Sequence, residues 1–224
     1  MGLSSGKEIQ FIVNARAVSG IFNRPENARA LLLLAHGAGA GMRHRFMEAV
    51  AVKLVARNIA TLRYQFPYME KRVKRPDAES VLTDTVRAAV AAAKKHGGDL
   101  ALFAGGKSMG GRMTSLAAAS SALDGVRGLI YFGFPLHAAG RPGAERGRHL
   151  GGIDLPMLFL QGSRDGLAEL KLLRPLCRQL KHGELFVVEG GDHSFHMLKS
   201  SRKSDEEVLD EIVNKAAEWI FKNT

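Results

Sequence analysis

The sequence predicts an α/β fold: an open, mostly parallel, doubly wound sheet in a single domain without a separate cap domain. The chain has 224 residues, of which 46% are hydrophobic, and this suits one domain with a sizeable core. Short apolar runs alternate with longer amphipathic segments along the whole chain. Strands joined by helices pair in parallel through right-handed crossovers, which places helices on both faces of the sheet. We therefore treat 1–224 as one domain.

Short apolar runs between turn residues predict the strands. They lie at 10–13, 30–35, 59–64, 100–104, 128–132, 156–160 and 185–188. The run at 30–35 is wholly aliphatic, which is typical of a strand that is buried on both faces. Because helical segments separate the later runs, we expect those strands to pair in parallel.

Amphipathic segments between these runs predict helices at 48–57, 76–96, 109–122 and 167–180. Gly97 and Gly98 are expected to end the second helix. A further helix begins at a capping box, in which Ser204 is followed by Glu207. The segment 134–152 has no regular pattern, and unstructured loops of this length in compact domains are usually functional. We expect it to form a loop over the active site.

Composition excludes several classes of protein. The only cysteine is Cys177, so no internal disulfide can form, and no spacing of Cys and His suggests a zinc site. We therefore expect a cytoplasmic protein without a metal. The sequence has no signal peptide pattern and no apolar run of about 20 residues that could cross a membrane. Lys and Arg number 32 against 22 Asp and Glu, a net charge of +10, which bears on the attraction of anions rather than on the fold.

A candidate nucleophile lies between a predicted strand and a predicted helix. Residues 106–110, Gly-Lys-Ser-Met-Gly, fit the pattern G-x-S-x-G. In a nucleophile elbow the sharp turn strains the serine backbone, and small neighbours keep its hydroxyl accessible. The same residues could instead form a glycine-rich turn in which Ser108 is incidental.

An acid and a base follow in the order that a catalytic triad on this scaffold requires. Asp165 comes in the loop after the strand at 156–160, and His193 comes in the loop after the strand at 185–188. His193 would take the proton of Ser108, while Asp165 would fix the tautomer of the imidazole. His196 is the alternative base. Asp192 is disfavoured as the acid because it is adjacent to His193 in sequence.

An oxyanion hole needs two backbone N–H groups, one from the residue after the nucleophile and one from an earlier loop. Met109 supplies the first. The glycine-rich stretch at 36–41, directly after the aliphatic strand, supplies the second. We favour Ala38 for this role, with Gly37 as the alternative.

Six short motifs carry a resemblance to a known family. They are HGAG at 36–39, FPY at 66–68, GGKSMGGR at 105–112, FPLH at 134–137, QGSRD at 161–165 and GDHSF at 191–195. The chain resembles members of the α/β-hydrolase superfamily. Among these it is similar to small predicted hydrolases related to dienelactone hydrolases and to a regulatory subunit of the non-specific-lethal acetyltransferase complex. The resemblance implies Ser108 as nucleophile, Asp165 as acid and His193 as base. The pattern departs from its relatives at 137–140, His-Ala-Ala-Gly, where the relatives tend to carry prolines.

These observations predict a serine hydrolase that cleaves an ester, thioester or lactone through an acyl-enzyme on Ser108, without cofactor or metal. The partner would be a small-molecule acyl substrate, and no oligomeric state can be derived. We assign the contacts of this substrate to residues of the oxyanion loop, the elbow and the 134–152 loop: Gly37, Lys107, Arg112, Phe134 and His137. The alternative is a catalytically idle scaffold that serves as a protein-interaction module.

The sequence disfavours two other functions. A phosphate-binding P-loop would need a glycine at position 101, which is Ala101. Two basic groups could attract nucleic acid. The first comprises Arg57, Arg63 and the basic residues at 71–75, and the second comprises Arg141, Arg146 and Arg148. The chain has no nucleic-acid-binding motif, so no specific nucleic acid is expected. If both basic groups border the pocket, they would favour an anionic substrate.

Overall fold

The computed structural model describes residues 6–224, and its central element is a sheet of eight strands. The strands are β1 (Lys7–Val13), β2 (Arg16–Asn23), β3 (Ala30–Ala35), β4 (Ile59–Tyr64), β5 (Ala101–Lys107), β6 (Val126–Phe132), β7 (Met157–Gly162) and β8 (Gly183–Val188). The helices are α1 (Arg45–Val55), α2 (Pro67–Glu70), α3 (Glu79–Gly97), α4 (Met109–Ser120), α5 (Leu170–Gln179) and α6 (Asp205–Lys222). A 3₁₀-helix covers Glu145–Gly152.

The strand order in the sheet is β1-β2-β4-β3-β5-β6-β7-β8. Strands β3 to β8 pair in parallel, whereas β1 and β2 form an antiparallel hairpin that pairs with the edge of β4. This arrangement confirms the predicted open, mostly parallel α/β sheet. The carboxyl ends of the parallel strands meet at one edge of the sheet, where ligands bind in folds of this type.

Helices cover both faces of the sheet, as the aliphatic strand at 30–35 predicted. Leu31 and Leu33 of β3 pack into the core on the side of α3, α4 and α5. Leu32 and Leu34 pack into the core on the side of α1 and α6. Because successive side chains of a strand point to opposite faces, one leucine run supplies both cores.

The strand β2 was not predicted, and the turn before it explains why. Val13 pairs with Arg16, so Asn14 and Ala15 form a two-residue hairpin turn in which φ is 47° and 62°. Such turns usually carry Asn-Gly, because glycine adopts positive φ without strain. With alanine in the second position, the sequence lacks the usual hairpin signal.

Regular structure also occurs in the segment 134–152, which the sequence predicted to be an unstructured loop. Its second half is the 3₁₀-helix Glu145–Gly152, which packs against α4. The four-residue helix α2 was missed as well, because elements this short carry no readable periodicity. No helix within residues 6–224 combines the length and hydropathy that crossing a membrane requires.

The start of α6 is confirmed as predicted. The hydroxyl of Ser204 accepts the N–H of Glu207 at 3.2 Å, and the Glu207 carboxylate accepts the N–H of Ser204 at 2.7 Å. This reciprocal capping box fixes the first turn of the helix. It therefore also fixes Asp205, the first residue of α6, whose side chain lines the candidate site.

Candidate active site

Ser108 occupies the sharp turn between β5 and α4. Its backbone has φ 51° and ψ −119°, a strained conformation for a residue with a side chain. A Cβ atom on Gly106 would lie 2.3 Å from the carbonyl oxygen of Ala35, and one on Gly110 would lie 2.4 Å from the same atom. The end of β3 therefore approaches so closely that only glycine fits on either side of Ser108. This explains the G-x-S-x-G pattern in physical terms.

The structure brings Ser108, His193 and Asp165 together at the carboxyl edge of the sheet. Nε2 of His193 lies 2.8 Å from Oγ of Ser108, and Nδ1 of His193 lies 2.7 Å from Oδ2 of Asp165. The three residues come from the ends of β5, β7 and β8, where the sequence placed them. Because Asp165 accepts the Nδ1 proton, the Nε2 lone pair of the neutral imidazole points at the serine hydroxyl.

The carboxylate of Asp165 accepts hydrogen bonds from three donors. Its Oδ1 accepts the N–H of Leu167 at 2.7 Å, and its Oδ2 accepts a hydrogen bond from the side-chain amide of Gln161 as well as that of His193. The Gln161 amide oxygen in turn accepts the N–H of Phe134 at 2.9 Å. A buried carboxylate is costly unless donors satisfy its oxygens. This network holds Asp165 in place beside His193.

The loop that carries His193 is organised by Asp192. Its Oδ1 accepts the N–H groups of Ser194 at 2.7 Å and His196 at 2.9 Å, and its own N–H donates to the carbonyl of His196 at 3.1 Å. The alternative base, His196, hydrogen-bonds instead through Nδ1 to Asp205 at 2.7 Å. Asp192 and His196, the alternative acid and base, are therefore bonded to groups other than the side chains of Ser108 and His193.

The loop after β3 is held rigidly by a buried histidine. Burial lowers the pKa of His36 to about 4, so its ring is neutral near pH 7. The Nδ1–H group donates to the carbonyl of Gly37 at 2.7 Å, and Nε2 accepts the N–H of Phe66 at 3.1 Å. Tyr68 adds a hydroxyl that accepts the N–H of Gly39 at 3.1 Å. The loop therefore presents its backbone in one conformation.

Two backbone N–H groups near Ser108 are available to a ligand. Met109 is the first residue of α4, so its N–H has no acceptor within the helix. Ala38 lines the same cavity as Ser108, and a Cβ atom on Gly37 would lie 3.7 Å from that of Ser108. Within residues 6–224 the N–H groups of Ala38 and Met109 have no hydrogen-bond acceptor.

Lys107 connects the turn that contains Ser108 to the loop that contains His193. Its ammonium group donates to the carbonyl of His193 at 2.6 Å and lies 5.9 Å and 5.6 Å from the ring centres of Phe46 and Phe195. Burial lowers its pKa from the ordinary value of 10.5 to about 8. The ammonium group of Lys107 therefore stabilises the backbone at His193. Its buried surroundings solvate its positive charge poorly.

A cavity of about 580 Å³ opens beside Ser108 and His193, between α1 and α6. Most of its walls are apolar, formed by Ala38, Ala40, Phe46, Met47, Ala49, Leu167, Phe195 and Leu209. Its other polar or charged side chains are His44, Arg45, Lys107, Ser194, His196, Asp205 and Glu206. Of the predicted substrate contacts, Gly37 and Lys107 line this cavity. The walls from α1 and α6 were missed, because their role arises from helix placement and has no local sequence signal.

The other three predicted substrate contacts have different surroundings. Arg112 pairs with Glu79 at 3.2 Å. Phe134 is fully buried in the core, and the buried ring of His137 bonds to the carbonyl of Ala138 at 2.9 Å and accepts the N–H of Glu169 at 3.3 Å. None of the three lines the cavity beside Ser108.

Neither the segment 134–152 nor the first basic group, Arg57, Arg63 and the basic residues at 71–75, contributes a side chain to the cavity lining. The reason lies in the layers of the fold. The 3₁₀-helix packs on α4, on one face of the sheet, whereas the cavity is bounded by α1 and α6, which cover the other face. The condition under which both basic groups would favour an anionic substrate is therefore not met at this cavity.

A second serine–histidine pair, Ser115 and His149, lies outside the cavity and connects two helices. Ser115 lies within α4 and is fully buried, and its Oγ is 2.7 Å from Nε2 of His149 and 2.8 Å from the carbonyl oxygen of Arg112. Burial lowers the pKa of His149 to about 4. The pair joins the 3₁₀-helix to α4 and does not line the cavity. In the described part of the chain, no three His, Cys, Asp or Glu side chains are grouped as a metal site would require.

A doubly wound sheet with a strained serine at the end of a central strand is the architecture of the α/β hydrolases. Residues 28–221 match the family model described as an alpha/beta hydrolase domain, and the chain belongs to this family.

Solved structures share the fold over nearly the whole chain. A dienelactone hydrolase from Anabaena variabilis is 20% identical, with a TM-score of 0.78 over 98% of this chain and 99% of that one. The Butyrivibrio proteoclasticus protein Est1E, solved with bound ferulic acid, is 16% identical, with a TM-score of 0.75 over 96% and 98%. A serine hydrolase without a lid from Xanthomonas campestris is 18% identical, with a TM-score of 0.72 over 99% and 96%. These neighbours support the dienelactone-hydrolase-like form of the fold.

Proposed function

We propose that the protein is a serine hydrolase that cleaves an ester, thioester or lactone through an acyl-enzyme on Ser108. The observation that carries this proposal is the hydrogen-bonded series from Ser108 through His193 to Asp165, with distances of 2.8 Å and 2.7 Å. Hydrogen-bond contact between nucleophile and base, and between base and orienting acid, is the geometry that nucleophilic catalysis needs. The series opens onto a cavity large enough for a small molecule.

Acylation begins when Nε2 of His193 accepts the proton of the Ser108 hydroxyl and Oγ attacks the substrate carbonyl carbon. The carbonyl oxygen becomes an oxyanion that accepts hydrogen bonds from the N–H groups of Ala38 and Met109. Asp165 stabilises the imidazolium that has formed. His193 then donates the proton to the departing alkoxide or thiolate, and the acyl group stays on Ser108.

Deacylation repeats these steps with water. His193 accepts a proton from a water molecule, and the resulting hydroxide attacks the acyl carbon. The second oxyanion uses the same two N–H groups. When it collapses, His193 returns the proton to Oγ of Ser108, the carboxylic acid leaves and the free enzyme is restored.

The cavity favours small acyl substrates with an apolar body. The cavity that contains Ser108 has apolar walls from Ala38, Phe46, Leu167 and Phe195, among others. Gly37 and Lys107 would lie beside the reacting group. The fold neighbours include an esterase from an Arctic intertidal library and Est1E with ferulic acid. These names support ester hydrolysis as the first reaction to assay, with aryl and short-chain esters as the first substrates.

The direct test is hydrolysis of p-nitrophenyl esters and a thioester by purified protein and by Ser108→Ala. We expect activity in the wild type and a loss of about 10⁵-fold or more in the variant, down to the background rate. Ser115→Ala is the matched control, because Ser115 also hydrogen-bonds to a histidine but lies outside the cavity lining. It should keep the wild-type activity.

The idle-scaffold alternative makes the opposite prediction. A folded wild-type protein that hydrolyses none of the esters, thioesters or lactones in a broad panel would favour a protein-interaction module. Equal loss of activity in Ser108→Ala and Ser115→Ala would also contradict the assignment of Ser108, provided that circular dichroism shows both variants to be folded.

A further inference from the structure

A second histidine–aspartate pair lines the cavity that contains Ser108. Nδ1 of His196 lies 2.7 Å from Oδ2 of Asp205. Asp205 also accepts the N–H of Met197 at 2.8 Å, and these two hydrogen bonds hold its pKa below the ordinary value. Asp205 is therefore ionised near neutral pH. Because it accepts the Nδ1 proton, the neutral imidazole of His196 keeps a lone pair on Nε2.

The backbone fixes His196 relative to His193. Asp192 bonds to both the N–H and the carbonyl of His196, at 2.9 Å and 3.1 Å. Phe195, between the two histidines, is buried with a φ of 65°, a conformation that is strained for a bulky residue. The turn therefore places both histidine rings on one cavity, and hydrogen bonds to the backbone fix their relative position.

The two histidine–aspartate pairs differ in exposure. The exposed fraction of the side chain rises from 0% for Asp165 and 23% for His193 to 47% for His196 and 54% for Asp205. The rings of Phe46 and Phe195 line the same cavity and stack at a centroid distance of 6.0 Å with an interplanar angle of 12°. The cavity therefore combines Ser108 and His193, an aromatic wall and a second, more exposed polar pair.

The carboxylates near His196 are already paired within the protein. Glu206 forms an ion pair with Lys53, and Asp205 bonds to the ring of His196 and accepts the N–H of Met197. Within residues 6–224, Nε2 of His196 has no hydrogen-bond partner. The group available to a ligand is therefore an acceptor nitrogen, which binds a hydrogen-bond donor.

We propose that His196 and Asp205 form a substrate subsite, in which Nε2 of His196 accepts a hydrogen bond from a hydroxyl or ammonium group at the far end of an aromatic or apolar substrate. This inference rests on the proposed hydrolase function for the reaction at the other end. It names the substrate class: esters with an apolar middle and a terminal hydrogen-bond donor.

The test compares methyl esters of three 3-arylpropionic acids that differ only in the para group: hydroxyl, methoxy or carboxylate. We expect kcat/KM of the wild type to be about tenfold higher for the hydroxyl than for the methoxy ester, the value of one good hydrogen bond. His196→Ala should reduce this ratio to about one. His182→Ala, at an exposed histidine outside the cavity, should leave the ratio unchanged.

Asp205→Asn tests the tautomer. The Asn amide can donate to Nδ1 of His196, which moves the ring proton to Nε2 and turns an acceptor into a donor. Both para groups have an oxygen that can accept, so the hydroxyl preference should disappear although His196 remains. A purely structural role of the pair would not change this ratio in a folded variant.

Binding of the matching amides to Ser108→Ala, measured by calorimetry, separates this inference from the proposed function. Suppose that Ser108→Ala binds the hydroxyl amide selectively, that a further His196→Ala change removes this selectivity, and that the wild type hydrolyses no ester. The subsite would then be supported although the hydrolase proposal fails. Ester hydrolysis with equal rates for hydroxyl and methoxy compounds would overturn the subsite alone. Preference for the carboxylate would also overturn it, because it would indicate an anion site.

Discussion

The ammonium group of Lys107 lies 2.6 Å from the carbonyl oxygen of His193. This contact joins the residue before the proposed nucleophile to the proposed base, and the ammonium group lies over the rings of Phe46 and Phe195. A lysine in this place holds the site in its geometry, but its buried charge lowers the free energy of unfolding. Removal of the charge should therefore lower activity and raise stability.

Lys107→Met should lower activity. The variant keeps an apolar chain of similar length but removes the donor to His193, and a hydrogen bond from a charged group contributes about 1.5–3 kcal/mol. We expect kcat/KM to fall by about ten- to a hundredfold on a p-nitrophenyl ester. Lys107→Gln, which retains an N–H donor, should lose less. Unchanged kinetics in Lys107→Met would contradict the positioning role.

The stability of the wild type should rise with pH in a window set by Lys107. Its pKa is lowered to about 8 in the folded protein, against 10.5 when exposed. Between these values the unfolded chain binds more protons, so the free energy of unfolding increases with pH, by at most about 1.4 kcal/mol per pH unit. Urea denaturation at pH 7, 9 and 10 should show that the wild type gains stability relative to Lys107→Met. A constant difference between the two proteins would contradict the buried, charged state.

Gly110→Ala should destabilise the protein through a clash with the backbone. The added Cβ would lie 2.4 Å from the carbonyl oxygen of Ala35, and such overpacking costs about 1–3 kcal/mol or more. Gly151→Ala is the matched control, because a Cβ there meets no atom within 4 Å. Thermal melts should show a lower Tm for the first variant only. Equal Tm values would mean that β3 does not constrain the elbow.

Asp165→Asn should preserve the fold but abolish most activity. The amide can still accept the N–H of Leu167, but it no longer favours the Nδ1-protonated tautomer of His193. We expect kcat to fall by about 10³- to 10⁴-fold. Asp154→Asn, at an exposed carboxylate paired with Lys181, serves as the control. A loss of less than about tenfold in Asp165→Asn would indicate that Asp165 is not the orienting acid.

The parallel part of the fold could be predicted because each strand is a short apolar run between helices. The predicted and observed bounds agree for β3 and β4. The strand β5 begins one residue later than predicted and ends three residues later, where Gly105 to Lys107 continue it. Those last residues form the start of the motif, so glycine content concealed their strand structure. The hairpin β1–β2 was predicted only in part, because Ala15 gives no turn signal.

The proximity of Ser108, Asp165 and His193 could be predicted because these residues lie in the turns and loops that follow strands, whose carboxyl ends converge. The cavity walls could not, since they depend on how α1 and α6 sit across the end of the sheet. Phe134 and His137 illustrate the limit. Both belong to a recognisable motif, yet packing directs them into the core rather than toward the cavity.

We propose Ser108 as an activated nucleophile, and intact mass after incubation with a fluorophosphonate probe tests this role most directly. The probe forms a covalent bond with a serine whose hydroxyl is activated by a neighbouring base. We predict one adduct on the wild type and on Ser115→Ala, and none on Ser108→Ala or His193→Ala. A folded wild type without an adduct, or an adduct that persists in Ser108→Ala, would contradict the account.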